Sequence, residues 1–371
     1  MCSRQLGCDL TITVWVAFTG ASYYPAAVTK RTLRVVISLA LMVALLAFFL
    51  WNVDFGKVAE ALEDSHPLWL LIATALALLS YWLRAVRWAF ILRPVGKVRH
   101  SSVVLTTAVG YAAMTLLPAR MGDIVRPVLL ARRDNLPVSA TLASILTERL
   151  FDLWTVVFFF LLFVLNPPAM TLRGEARSYL HTLTTSGYIV AAGLVVGSLV
   201  LLGLFRYQER FVELLAWPVG RLLPRWKGPV SRFFHHFLNG LRVLQRPRDL
   251  LITVGASLLM WWVIYWQVWA TLIAFDIHLP LRAAYLIVTL AVIGLAIPTP
   301  GGVGGFHKAA QIGLTSFFGI ELNEATGIAI AYHAICFLPI TIIGLACLPV
   351  LGLSLRETSH IADQGLPATE E

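Results

Sequence analysis

The sequence is poor in charge. Asp, Glu, Lys and Arg make up 13% of its 371 residues, where a soluble domain carries about 25%. That shortfall excludes a large water-solvated domain with a conventional active-site cleft. Cysteine is scarce too: Cys2, Cys8, Cys336 and Cys347 stand at no spacing suited to a metal or a redox pair. Cys336 and Cys347 fall in an apolar run, where a free thiol behaves as a small hydrophobe. No GK[ST] follows a glycine-rich loop, and HExxH, GxSxG and GxGxxG are missing. Nucleotide P-loops, zincins, α/β-hydrolase elbows and dinucleotide folds are thereby set aside. No cofactor and no metal is expected.

What the sequence has instead is long apolar runs. Hydrophobic residues form 58% of the chain and the mean hydropathy is +0.78. Several runs approach or exceed the roughly 18 residues that a spanning helix needs. Six spans are expected, at about Leu33 to Trp51, Pro67 to Leu92, Ala140 to Leu165, Tyr188 to Phe205, Leu250 to Phe275, and Ala325 to Leu353. The formal charge of +9 is not a nucleic-acid signature, because the basic residues lie between apolar runs and so read as orientation charge facing an anionic leaflet.

Two further apolar runs are broken. Ser101 to Leu117 ends in LPARMGDIVRP, and Leu281 to Ile297 ends in PTPGGVGGFHK. Proline and glycine clusters stop a helix, and in lipid a broken backbone survives only where protein or a water-filled cavity shields it. Each region is expected to be a re-entrant hairpin that dips in and returns to the same side. The fold expected is thus an all-α polytopic membrane protein, with about six full transmembrane helices plus two re-entrant hairpins.

Charge asymmetry supports that layout. The stretch Arg206 to Arg248 holds nine Lys/Arg against two acids, Glu209 and Glu213, and is expected in the cytoplasm. Lys30, Arg31, Arg34, the Arg93–Arg99 group, Arg132, Arg133 and Arg356 fall on the same side, which puts both termini in the cytoplasm of a bacterial inner membrane. Asp54, Glu60, Glu63, Asp64, Asp276, Glu321 and Glu324 fall on the other. The expected organisation is an N-terminal extension over 1–29 (interfacial, or an over-extended start), a first repeat over 30–205, and a basic linker over 206–248. A second repeat core over 249–355 and a polar, disordered tail over 356–371 complete it.

The unit span, span, hairpin, span occurs twice. Pro118 and Gly122 align with Pro300 and Gly304, and Arg126 with Lys308; LPVSATLASILTERLFD resembles ELNEATGIAIAYHAICF. Three spans per unit is odd, so the second copy enters the membrane upside down. Inverted repeats are the architecture of alternating-access carriers, whose sites form at broken helices.

The residues able to carry chemistry cluster at these breaks. Arg120, Asp123 and Arg126 sit in or beside the first, and Glu148, Arg149 and Asp152 lie one to two turns into the third span. Ionisable groups at membrane depth mark sites by default, usually as internal pairs. Glu148 and Asp152 share a helix face, and arginine's planar fork suits phosphate. The competing reading is a salt-bridge knot that pins the hairpin to the third span. The turn Pro300–Gly305 opens a half-helix whose free N–H groups suit an anion. His307, Lys308 and His333 face the second break, as core residues or proton couplers. Arg84 and Arg87, near the cytoplasmic end of the second span, are expected to snorkel to phosphates.

On LPARMGDIVRPVLLARR, ERLFD and PTPGGVGGFHKA followed by a small-residue span, the sequence resembles the flippase-like family related to the membrane half of lysylphosphatidylglycerol synthase. The resemblance covers roughly Lys30 to Leu353. It implies a translocation pathway for a lipid with a charged head group, involving Pro118, Arg120, Gly122, Asp123, Arg126, Glu148, Arg149, Asp152, Pro300, Gly301, Gly302 and Gly304. His307 stands where family members often carry an acid, which removes a carboxylate from any mechanism needing one there. The soluble aminoacyl-transferase domain of the two-part enzymes is not expected, nor aminoacyl-lipid synthesis. The expected partner is a phospholipid or polyprenyl-linked lipid in the membrane, with no nucleic acid; a homo-oligomer is compatible. The main expectation is a lipid translocator and not an enzyme. The alternatives are a membrane enzyme on a lipid phosphate or polyprenyl carrier, with Glu148 or Asp152 as general base, or an accessory subunit of envelope lipid or glycan synthesis. Translocation predicts hairpin arginines facing a lateral cavity, catalysis a closed pocket, and an accessory role a filled interior.

Overall fold

A computed structural model of the protein describes residues 30–117, 121–168, 175–206, 246–353 and 358. Residues 1–29, most of the basic linker and nearly all of the tail lie outside the described residues, as do Pro118 and Arg120. Among the described residues there are helices and their connections, and no strand. In chain order these are α1 (Lys30–Phe49), α2 (Phe55–Glu63), α3 (Pro67–Leu92), α4 (His100–Leu116), α5 (Gly122–Asp134), α6 (Val138–Leu165), α7 (Glu175–Arg206), α8 (Pro247–Ala274), α9 (Leu281–Leu295), α10 (Gly305–Ile312) and α11 (Leu322–Cys347). The second expected span coincides with α3. The fourth begins earlier than hydropathy indicated, at Glu175. The short helix α2 was not anticipated; Asp54 caps it by accepting from the N–H groups of Gly56 and Lys57.

The surface of this bundle is apolar, and polar and charged side chains are set within its largely hydrophobic interior. Leu71, Leu251 and Ile342 point outward, 57–72% exposed, while Ser80, Arg87, Thr106, Glu148 and Gln267 are buried. In water that arrangement would be penalised on both counts; in lipid it satisfies both. Helices α3 and α8 and the segment Leu322–Leu351 are long and apolar enough to cross a membrane, and this is a multi-pass membrane protein.

Helices α3 and α8 run antiparallel at the centre. The His66 N–H, at the start of α3, donates to the Ala274 carbonyl at the end of α8 over 2.7 Å. At the other ends Arg93 lies 3.4 Å from Asp249. Charge sorts along this axis. Asp54, His66, Asp276, Glu321 and Asn323 meet at one end through direct hydrogen bonds; Arg93, Arg99, Asp134, Arg246 and Asp249 sit at the other.

Helices α4 and α5 form a hairpin. The chain descends 17 residues, about 25 Å at 1.5 Å per residue, and returns beside itself, so that the Arg99 N–H donates to Asp134 Oδ2 over 2.9 Å. Asn135, with φ 52°, ends the return in the left-handed conformation. Helices α9 and α10 fold back on each other in the same way. Both crossings need glycine. A Cβ on Gly122 would strike the Gly110 carbonyl, and one on Gly305 would strike the Gly294 carbonyl. One on Gly110 would lie 2.6 Å from Arg126 Cβ, and one on Gly294 would lie 2.7 Å from Ala309 Cβ.

These contacts correct the expected register by one residue. Gly122 matches Gly305, not Gly304, and Arg126 matches Ala309, not Lys308. The glycine doublet left the alignment a choice that only the packing resolves. Gly304 instead belongs to the tip, where Gly301, Gly302 and Gly304 have φ of 59°, 70° and 87°, values that side chains tolerate poorly. That tip presses on α1 at Leu45 and Leu46 and on α4 at Thr115, and Ser38 Oγ donates to the Pro298 carbonyl over 2.6 Å. The ends of the two hairpins therefore meet inside the bundle.

Gly122→Ala and Gly305→Ala are each expected to destabilise by about 1–3 kcal/mol through overpacking, read as a lower thermal midpoint in detergent. Gly193→Ala, where an added Cβ meets no atom within 4 Å, should leave the midpoint unchanged or slightly raised.

Candidate functional site

The first hairpin carries charge into the centre of the bundle. Helix periodicity puts Arg84, Arg87 and Trp88 on the inner face of α3, continuing the buried stripe of Ala73, Ala77 and Ser80. Glu148 and Asp152 project from one face of α6, and Arg126 from α5. These elements converge on a compact ionic cluster. Asp152 Oδ1 accepts from Arg87 Nη1 at 2.7 Å and from the Trp261 indole at 3.1 Å. Its Oδ2 accepts from Arg84 at 3.1 Å and faces Arg149 at 3.4 Å. Glu148 Oε1 lies 3.1 Å from Arg126, 3.5 Å from Arg87 and 3.6 Å from Arg84. Arg149 also binds Asp123, and Arg87 donates to Ser257 Oγ over 3.0 Å. The Arg126 guanidinium carbon sits 3.8 Å from the centre of the Trp88 ring, a cation–π contact that holds it without using its N–H groups.

Arg84 and Arg87 were expected to reach lipid phosphates at the membrane surface. They turn inward instead, and Arg87 has no exposed side-chain surface. The reason is local: two carboxylates lie within reach, and ion pairing in a low dielectric outweighs an exit to the interface. Sequence spacing pointed to Glu148 and Asp152 but not to these two partners, because α3 and α6 are brought together only by folding. A signal was present in the i, i+3 spacing of Arg84 and Arg87 on an otherwise apolar helix.

Among the described residues the cluster joins four guanidinium groups to three carboxylates, an excess of one positive charge. Several donors have no hydrogen-bond partner among the described residues: the Nε atoms of Arg84, Arg87, Arg126 and Arg149, and Nη2 of Arg126, while Nη2 of Arg87 has only its 3.5 Å ion-pair contact with Glu148. Glu148 Oε2 is likewise unpartnered. Buried polar groups are normally satisfied, so a knot built only for stability would leave fewer open. Exposure rises toward one edge, where the Arg149 and Asp123 side chains are 32% and 29% exposed. Arg126, at 2%, is enclosed and does not face an open lateral cavity.

The second hairpin is chemically different. The His307 and His333 rings lie against each other, tilted by 32°, with centres 4.2 Å apart. His333 Nε2 donates to the Gly301 carbonyl over 2.8 Å, and the Gly304 N–H is directed at His307 Nδ1 at 3.4 Å. That N–H, expected to be free for an anion, therefore has a partner inside the protein. Lys308 donates to Gln311 Oε1 over 2.8 Å and lies over the Phe48 ring. Pro300, Gly301, Gly302, Gly304, His307 and His333 thus come together at the second tip, and Lys308 is engaged with Gln311. Asp123, Arg126, Glu148, Arg149 and Asp152 come together around the first hairpin, with Gly122 at its crossing.

Known proteins place this architecture. A family model described as the lysylphosphatidylglycerol synthase TM region matches residues 35–344. The chain is similar to the glycosyltransferase AglD of Haloferax volcanii, with 24% identity over 90% of this chain and 58% of that one. It thus spans little more than half the length of that relative. It is also similar to a UPF0104 membrane protein of Methanothermobacter thermautotrophicus, with 23% identity over 85% of this chain and 95% of that protein. A UPF0104 membrane protein of Methanocaldococcus jannaschii is 20% identical over 87% of this chain and 96% of its own length.

Removing one partner from the cluster leaves an opposite charge buried and unpaired. Arg87→Ala is expected to destabilise by about 3–5 kcal/mol, seen as a lowered thermal midpoint in detergent. The double variant Arg87→Met/Asp152→Leu should recover part of that loss.

Proposed function

Because the chain belongs to the family of the lysylphosphatidylglycerol synthase transmembrane region, we propose that it is a lipid translocator whose ionic cluster binds the phosphate of a lipid head group. The observation that carries this reading is the set of buried, unpartnered arginine N–H groups around an excess positive charge. Guanidinium donors in a water-poor site match phosphate oxygens in geometry and charge. Arg149 and Asp123, at the exposed edge, would admit the head group, and the enclosed state of Arg126 corresponds to an occluded step.

The reading includes six spans and two re-entrant hairpins as an inverted repeat. The antiparallel run of α3 against α8, which hold the same place in the two halves, supports it. So does the matched glycine crossing of the hairpins. The basic end of the bundle, with Arg93, Arg99 and Arg246, would face the cytoplasm, and the Asp54–Asp276–Glu321 end the outside. The two hairpin tips, in contact at Thr115 and Gly301, would separate and rejoin as access alternates. The ligand class is a phospholipid or polyprenyl-linked lipid.

A second reading draws on the Haloferax relative, whose name is that of a glycosyltransferase: a membrane enzyme or accessory subunit acting on a lipid-linked carrier. The geometry favours it less. Both Asp152 oxygens are engaged, and Glu148 has no exposed surface, so neither is presented to a substrate hydroxyl as a general base.

The test is lipid movement in reconstituted proteoliposomes, with fluorescent anionic, zwitterionic and polyprenyl-linked lipids. Wild type should move lipid in a head-group-dependent way, and folded Arg126→Ala and Glu148→Gln variants should lose at least tenfold in rate. Well-folded protein that moves none of these lipids would overturn translocation and favour the second reading.

A further inference from the structure

Two buried hydroxyls on α4, the helix that packs on Arg126 at Gly110, have no hydrogen-bond partner among the described residues. They are Thr107 Oγ1 and the Tyr111 hydroxyl, both on α4 and both buried, at 2% and 8% exposure. They stand four residues apart and so share a helix face. Tyr111 belongs to the cluster's wall: its ring centre lies 5.5 Å from the Arg84 guanidinium carbon and 5.9 Å from that of Arg126. Tyr81 packs against it edge to face, at 4.8 Å between ring centres.

The Thr107 hydroxyl departs from the habit of this fold. A threonine in a helix can return its proton to the carbonyl four residues back. Thr106, Thr115, Thr147, Thr155, Thr253 and Thr271 all do so, at 2.7–3.1 Å. Thr107 does not; the carbonyl at its own offset, that of Val103, faces the Thr106 hydroxyl at 3.3 Å instead. Leaving a buried hydroxyl unsatisfied costs on the order of 1–3 kcal/mol; here two lie one turn apart on α4, and the Tyr111 ring stands beside arginines that also have open donors.

We propose that Thr107 and Tyr111 are ligand-binding residues, whose hydroxyls donate to the phosphate oxygens of the lipid head group held by Arg84 and Arg126. This rests on the reading of the cluster as a head-group site and extends it to a fourth helix of the wall. An oxyanion with three or four acceptor oxygens takes donors from α3, α5 and α4 at once. The hydroxyls add hydrogen bonds without adding charge, so they strengthen phosphate binding while the excess stays at one positive charge.

Isosteric removal separates this role from a structural one. In the lipid-free protein the two hydroxyls bond to nothing described, so Thr107→Val and Tyr111→Phe should leave the thermal midpoint in detergent unchanged or higher. Binding is read by titrating dioctanoyl phosphatidylglycerol into detergent-solubilised full-length protein. Intrinsic fluorescence is followed, since Trp88 and Trp261 lie in the cluster. Each variant should weaken binding about tenfold, as expected for a hydrogen bond to a charged group. Inorganic phosphate serves as the second arm; it should bind far more weakly, because the ligand is a lipid head group. Wild-type affinity in both variants, or a clear loss of stability in either, would overturn the assignment of the hydroxyls. If Arg126→Ala lost binding in the same experiment, the head-group site itself would stand. No binding of either probe by wild type would overturn both.

Discussion

Charge inside a hydrocarbon-solvated bundle is the constraint on which the rest of the structure depends. An ionised side chain at membrane depth costs several kcal/mol unless it is paired, and here four arginines and three carboxylates meet within one cluster. They come from α3, α5 and α6, while α8 adds the Trp261 and Ser257 contacts. Each helix must hold its depth and rotation for the pairs to close. A turn of α3 by 100° would remove Arg87 from both carboxylates and leave it facing lipid. The cluster thus fixes the relative placement of the helices that create it, much as a core layer does in a soluble protein, but through a few strong directional contacts.

The same constraint explains the hairpins. Arg126 reaches Glu148 because α5 begins its run inside the bundle, and α5 can lie that close to α4 because Gly110 and Gly122 have no Cβ. The second hairpin repeats the crossing with Gly294 and Gly305 but not the chemistry. Ala309 stands where Arg126 stands in the first, and His333 occupies the position in α11 that Glu148 holds in the aligned segment of α6. One backbone plan therefore serves two purposes. The first hairpin carries the charged site, and the second builds a tip of glycines and facing histidines that packs against Thr115 and α1.

By itself the sequence determined the solvent, the class of fold and the places where the chain breaks. Apolar length, scarce charge and the proline–glycine clusters are local properties, and they locate α3, α8, α11 and both hairpin tips without knowledge of any neighbour. It also singled out Asp123, Arg126, Glu148, Arg149 and Asp152, because ionisable residues stand out in apolar helices. What only the tertiary structure decided is which of these groups meet. Arg84 and Arg87 look like interfacial arginines on a linear chain; they become the centre of the cluster because α3 presents that face to α6. The register of the second hairpin was read one residue off for a related reason. Two adjacent glycines satisfy any local rule, and only the contact with Gly294 selects Gly305 for the crossing and leaves Gly304 to the tip. Thr107 and Tyr111 carry no mark in the sequence at all, since an unpartnered hydroxyl is defined by what surrounds it.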